Sequence, residues 1–445
     1  MPERNAARFP GRGLWTFVFV DVVLLNALMI GVFSAPWYRT GPALIVTDYL
    51  RGTSGNDSWL PINEAYDFAR FHPDRPLYDT LFFEQRLKFQ YPLTALLPWY
   101  ALKSDAAARG LAVARISEDA LVTALSWLSV LATVLISMAI FRRARREAFP
   151  EDTARPSVGT EAALLVLGLT FYPLLKGYEV GNVQVWLDAL FAAAFLLWMR
   201  GAEVASGALL GLCTLVKPQL GILLLWGVLR RRWKFAGAFL AIGLLGALAA
   251  VLLFGVSQNL GYLPVLSYIA RHGEAFYANQ SVNGLLNRLL FNGNSLKWNA
   301  HAYAPYAPLV YAGTLVSSLV VLALGLAARP PRTAAGRGAD FALAALASTM
   351  ASPVAWEHHY GILLPIFAFL WPTMRAAFPD GRWALAALAA SYVVASNAFS
   401  ITNRVAHVPV LNVVQSYLFA SAVAVFVLLW ILRRSLQRRA APATR

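Results

Sequence analysis

Glu357, His358 and His359 stand together in "SPVAWEHHYGILLP", a run that leads straight into an apolar segment. Ionisable side chains this close to a hydrophobic stretch cost free energy unless they are paired or face water. A carboxylate beside two imidazoles could bind zinc or hold an anion. Zinc takes helical ligands four residues apart, or ligands from separated segments. This run has neither that spacing nor a partner cluster, and the single cysteine, Cys213, lies inside an apolar run. Neither a metal nor any other cofactor is expected. Adjacent residues of a helix point about 100° apart. His358 and His359 are therefore expected to face different groups, one a ligand and the other Glu357 or the backbone.

Two isolated cations invite the same question. Lys217 precedes Pro218 at the end of an apolar segment, and Arg288 sits in "LLNRLL". An ammonium at that position lies near the level of lipid phosphates, and a guanidinium fork matches a phosphate well. The alternative readings are a lysine snorkelling to the interface and an arginine anchoring a lipid headgroup. A general base could come from Asp48, Asp57, Glu64, Asp67, Asp74 or Asp79, all between the first two long apolar runs. Each of these could instead be a solvated charge or a helix cap.

The elements that must position these residues are membrane helices. The chain has 445 residues, 58% of them hydrophobic and 14% charged, with a mean hydropathy of +0.54. A soluble domain is usually about 45–50% apolar and about 25% charged. The excess falls in repeated runs close to the ~20 residues that a helix needs to cross a bilayer. Spans are predicted at 15–35, 117–141, 159–176, 182–200, 203–217, 219–230, 235–256, 306–328, 339–354, 360–374, 383–397 and 409–432. The first is long for a signal peptide and lacks a clear cleavage site, so it is expected to be retained. This is an all-α polytopic membrane protein of about 12 transmembrane helices, in one domain over 1–445.

Lys and Arg set the orientation. They cluster at 142–146, 230–234, 329–337 and 375–382 and in both tails. An even number of spans puts all of them on one side, which the positive-inside rule makes the cytoplasm. The net charge of +15 is thus a topology signal, and no nucleic-acid partner is expected. Tails 1–14 and 433–445 are cytoplasmic. Loops 36–116 and 257–305 are outside, with every polar cluster named above. The short apolar segment 91–104 is expected to lie as an interfacial helix on the outer surface, with Trp99 and Tyr100 among headgroups. A transporter or flippase would place polar groups at broken helices near the midplane, in two related halves, and no such repeat is visible.

Five motifs follow in order: "PLYD" (76–79) with "FQYPLTALLP" (89–98), "GNVQVWLDALFAAAFLL" (181–197), "LVKPQLGILLLWGVLRRRW" (215–233), "NQSVNGLLNRLL" (279–290) and "SPVAWEHH" (352–359). Together with an Asp early in the first outer loop, they resemble the GT-C superfamily of membrane glycosyltransferases. Within it they are similar to glycosyltransferase family 87, whose known members include polyprenyl-phosphomannose-dependent α-1,2-mannosyltransferases. The resemblance implies a GT-C-like bundle and an inverting transfer of a hexose, mannose foremost, or a pentose. The donor would be a polyprenyl-phosphate sugar, and the acceptor a hydroxyl of a lipid-linked or cell-envelope glycan. The reaction would take place at the outer face of a bacterial plasma membrane. Such a reaction needs one general base and positive charge for the departing phosphate. The family pattern favours Asp57 as the base, with Asp48 second. Lys217, His358, His359 and Arg288 are candidates for the donor phosphate. Glu357, Asn182, Gln184, Gln280 and Tyr91 are candidates for sugar or acceptor.

Overall fold

A helix lies at each of the twelve predicted segments. The computed structural model describes residues 11–33, 42–101, 118–152, 156–327 and 333–439. Residues 1–10 and 440–445 of the two tails, and 34–41 and 102–117 around the first loop, lie outside the described residues, as do Arg155, Arg329 and Arg332. α1 (Gly11–Val18) runs through a π-helical turn (Phe19–Leu24) into α2 (Leu25–Phe33). α3 (Pro42–Arg51) and α4 (Trp59–Phe71) belong to the first loop. The bundle continues with α5 (Glu118–Ala148), α6 (Val158–Leu169), α7 (Tyr172–Val180) and α8 (Gln184–Met199). α9 (Glu203–Val216), α10 (Ile222–Leu229) and α11 (Trp233–Leu260) follow. The second loop carries α12 (Tyr262–His272) and α13 (Val282–Leu289). α14 (Pro308–Leu326), α15 (Ala334–Met350), α16 (Leu363–Ala377), α17 (Arg382–Ala395) and α18 (Tyr417–Arg439) complete the chain.

Among the described residues, five helical stretches are long and apolar enough to cross a membrane, or six if α6 and α7, bent by 46°, count as one span. Five further apolar helical stretches have only 10–17 residues. The protein is an all-helical membrane protein. Its lipid-facing sides are visible as exposed leucines on α11 and α14, such as Leu244, Leu248, Leu252, Leu315 and Leu319.

Close packing fixes the helix directions. A Cβ on Gly207 would lie 2.2 Å from the carbonyl oxygen of Phe235, and one on Gly211 would lie 2.9 Å from that of Phe239. These two small residues, four apart on α9, let its backbone sit against α11. At the far ends of α10, α15 and α18, Asp340 accepts from Arg230 at 2.7 and 3.0 Å, from Arg433 at 3.0 Å and from the Trp226 indole at 2.8 Å. The two guanidiniums also donate to carbonyls at the C-terminus of α14, where helix carbonyls lack internal partners. Asp340 is eight residues from Ser348 on the same helix, so roughly 12 Å separates this end from the one described below.

At that other end, the first and second loops form a core of their own. It includes Trp59, Tyr66, Tyr78, Phe89, Leu96 and Trp99, packed with Tyr262, Val265 and Ile269 of α12. The segment 91–104 is therefore not laid on the surface as expected. Its described part runs through a short 3-10 helix (Leu93–Leu96) into a helical turn at 97–101. Trp99 is buried, stacks on Trp59 at 5.8 Å and donates to Asn63 at 2.5 Å. The indole N–H finds a protein partner, so the ring has no need of the headgroup layer. Residues 102–104 of that segment lie outside the described residues.

Candidate functional site

A single close approach of two backbones places Asp57. α7 ends at Gly181 in the left-handed region, φ 70°, ψ 47°. A Cβ there would meet the Gly55 oxygen at 1.8 Å, and a Cβ on Gly55 would meet the Val180 oxygen at 2.6 Å. Only glycine combines that dihedral with that contact. With both side chains absent, segment 55–58 docks on turn 179–183. Gly55 N donates to Glu179 O at 2.8 Å, Asp57 N to Val180 O at 2.9 Å and Ser58 N to Gly181 O at 3.1 Å. The Ser58 hydroxyl accepts from Val183 N at 3.0 Å and shares a 2.7 Å hydrogen bond with the Tyr91 hydroxyl. Asn182 then donates to Oδ2 of Asp57 at 2.7 Å. Asp57, Asn182 and Tyr91 are thus brought together from three parts of the sequence.

Lys217 reaches the same place for a different local reason. The residue before a proline is pushed out of the helical region, and Lys217 is extended, φ −127°, ψ 96°, between α9 and the 3-10 turn Pro218–Gly221. Its ammonium donates to Oε1 of Gln184 and to Nε2 of His359, each at 2.8 Å. An ammonium has no acceptor, so the proton of the His359 ring sits on Nδ1. Gln184 donates in turn to Asp188 at 2.8 Å, and Asp188 is fully buried on α8.

The Glu357–Ile362 segment is a 3-10 helix, not an α-helix. It is pinned to the second loop by Gln280 N to Ala355 O at 2.7 Å and Glu357 N to Ala278 O at 2.9 Å. Asn279 adds a bond from Ala355 N at 3.0 Å. The two histidine rings lie edge to face, 4.8 Å apart, and both line one cavity. The expected pairing of one histidine with Glu357 is not seen. Neither pairs with Glu357, whose carboxylate accepts from Tyr172 at 2.8 Å and Tyr417 at 3.2 Å. His358 Nε2 and His359 Nδ1 are buried with no partner.

The cavity is about 1190 Å³. Asp57, Tyr91, Asn182, Lys217, His358 and His359 line it, as do Lys88, Trp298 and Trp356. Asp57 is its only carboxylate among the described residues. Asp57 is exposed to the cavity, yet desolvation by the protein packed around it pushes its carboxyl up from its ordinary value, against the Asn182 hydrogen bond and the fields of Lys217, Lys88 and Lys176. Lys88 is ion-paired with Glu274. Burial lowers the Lys88 ammonium and raises the Glu274 carboxyl, each resisted by the other's charge.

Several candidates do not line the cavity. Arg288 is buried, but it donates to the carbonyls of Phe276 and Asn279 at 3.1 and 3.0 Å and to Ser416 at 2.6 Å. Its fork ties the second loop to the 3-10 segment Pro409–Ser416 and is not offered to a ligand. Gln280 likewise donates to the carbonyls of Tyr277 and Gln415. Gln184 stands behind Lys217, and Glu357 is held by the two tyrosines. Asp48, the second choice for a base, sits on α3, buried and outside the cavity wall. No group of three or more His, Cys, Asp or Glu side chains among the described residues is placed to hold a metal ion.

The reading of Arg288 as a strut has a measurable consequence. Arg288→Met leaves two carbonyls and a hydroxyl without their donor, at about 1–3 kcal/mol for a buried polar group. A lower melting temperature is expected, with the donor KM of folded protein changed less than about threefold, under 1 kcal/mol. A large rise in donor KM would return Arg288 to the ligand.

Sequence reasoning missed Lys88, Asp188 and Trp298. Asp188 carried a signal, because an acid inside "VWLDALFAAAF" has to be paired. Lys88 and Trp298 carried none, since only tertiary folding brings them to this cavity.

A cavity with one carboxylate, two lysines and three histidines among its lining residues, built at one end of a helical membrane bundle, suits a membrane-bound transferase. The model of glycosyltransferase family 87 matches residues 89–353, more than half of the chain, and the protein belongs to that family. No curated protein and no solved structure matches it.

Proposed function

We propose that the protein is an inverting glycosyltransferase that moves a sugar from a polyprenyl-phosphate carrier to a hydroxyl of a lipid-linked or cell-envelope glycan, at the outer face of a bacterial plasma membrane. The observation that carries this reading is the division of charge in the cavity. One carboxylate, Asp57, shares it with Lys217 and with imidazole nitrogens that lack partners. A departing phosphate needs charge and hydrogen-bond donors but no acid. The attacking hydroxyl needs one base, unlike glycoside hydrolysis, which uses two carboxylates. Asp57 takes the proton of the acceptor hydroxyl as that oxygen bonds to the anomeric carbon. The bond to phosphate breaks on the opposite face, and Lys217 and the histidines hold the phosphate. One displacement inverts the centre.

The sugar is a hexose, with mannose first by the family resemblance and a lipid-linked pentose as the second reading. The rival from another class, a transporter or flippase of lipid-linked sugar, predicts flux without a new glycosidic bond. Membranes supplied with radiolabelled polyprenyl-phosphate mannose, glucose and arabinose decide between them. Label appearing in a glycan supports the transferase, and label crossing the membrane on its original carrier supports the rival.

Removing a charge-stabilising donor typically costs about 10²–10³ in turnover. His358→Ala or His359→Ala is therefore expected to lower kcat by at least about 10-fold. Normal kinetics in both variants and in Lys217→Ala would place the phosphate elsewhere. The arginine-rich ends predict a topology as well. Reporter fusions should put Arg145 in the cytoplasm and His272 outside, and both on one side would refute the layout.

A further inference from the structure

The transfer step leaves one wall of the cavity unused. Lys88, Gln90, Trp298, Ala300 and His301 line it. Trp298 belongs to segment 291–307 between α13 and α14, which has no regular helix yet is fixed in place. Asn294 Oδ1 accepts from the backbone of Leu296 and of Lys297, each at 2.9 Å, and Asn299 Oδ1 accepts from His301 N at 2.8 Å. Tyr277 N donates to Ser295 O at 2.9 Å, and Asn292 donates to Pro305 O at 2.7 Å.

The indole so held is 43% exposed. Lys88 Nζ lies 5.3 Å from its ring centre and 4.3 Å from that of Tyr303, and Trp356 meets it edge-on at 6.1 Å. Trp356 is 6.1 Å from His358 in turn. A rigid, half-exposed tryptophan with a cation at its side, one ring away from the candidate phosphate site, is a binding platform. A sugar ring fits it, having an apolar C–H face for the indole and a rim of hydroxyls for Lys88, Gln90 and His301. The lining also carries aliphatic side chains, Val216, Ile222, Leu266 and Leu322 among them, which suit an isoprenoid chain. The two kinds of wall sort the two substrates.

We infer that Trp298, with Lys88 and His301, forms the acceptor subsite, and that it selects a carbohydrate acceptor by stacking a sugar ring on the indole. This rests on the transferase reading for its role, but the binding itself can be measured without any donor. The full chain carrying Asp57→Asn, in nanodiscs, is titrated with mannobiose, maltose and cellobiose, and with dodecanol as a lipid-alcohol probe. Saturation-transfer NMR reports binding. At least one disaccharide should receive saturation on its ring C–H protons. Adding Trp298→Ala should weaken that binding by about 10-fold or more, the loss common for an aromatic side chain that the ligand covers. Trp298→Phe should keep most of it, and dodecanol binding should be the same in all three proteins. The inference is overturned if none of the three disaccharides receives saturation, or if Trp298→Ala binds as well as its parent. It is also overturned if dodecanol is the probe that Trp298→Ala loses. The transferase reading fails by a separate result, the absence of any new glycosidic bond in wild-type membranes.

Discussion

Asp57→Asn is expected to lower turnover by about 10²–10⁴-fold, the contribution typical of a positioned general base, and to leave folding and donor binding nearly unchanged. The substitution keeps the size of the side chain and its ability to accept from Asn182, which donates at 2.7 Å. The backbone hydrogen bonds of segment 55–58 to the 179–181 turn do not involve the carboxylate. What is lost is the ability to take a proton, and no other acid lines the cavity among the described residues. Asp48→Asn is the control and should keep its activity, because Asp48 lies outside that wall. A pH profile adds a second check. Desolvation raises the Asp57 carboxyl above its ordinary value of 3.8. The base acts only when ionised, so kcat/KM should fall as pH drops through that raised value, and the acidic limb should lie above 3.8. A limb at the ordinary value, or full activity in Asp57→Asn, would remove Asp57 from the reaction.

The helices and much of the site could be read from the sequence, for reasons that differ residue by residue. Apolar runs near twenty residues leave little choice but helix, and helices overlap the predicted segments, although among the described residues only five, or six with the bent pair, are long and apolar enough to cross a membrane. Asp57 was favoured by its place ahead of "PLYD" in the family pattern and Lys217 by its place before Pro218 at the end of an apolar run, and both line one cavity with Asn182. Arg288 was misplaced because its type and neighbours suit a phosphate as well as three carbonyl and hydroxyl acceptors. Sequence does not say which partner is nearer. The histidine pair was misread in its partner, since Glu357 is taken by Tyr172 and Tyr417 and His359 by Lys217, and sequence does not say which of these is nearer. Trp298 was beyond reach, because its meaning depends on Lys88, 210 positions earlier in the chain.

Lys217 combines two roles that one substitution cannot separate. It donates to Gln184 and His359, and its charge bears on Asp188, which is fully buried and has one carboxylate oxygen without a partner. Lys217→Met is expected to lower turnover by at least about 10²-fold, as loss of a charge-stabilising group does. It should also destabilise the protein by about 1–3 kcal/mol, because Gln184 and His359 lose a buried hydrogen-bond donor. Lost activity alone would then be ambiguous. The double variant Lys217→Met/Asp188→Asn removes the ammonium together with the acid that its field favours through the Gln184 link. Its melting temperature should return towards that of the parent while its turnover stays low. A double variant that regains both stability and turnover would make Lys217 a structural counter-ion with no part in holding phosphate. One that regains neither would show that Gln184 and His359, rather than Asp188, are the partners that require the ammonium.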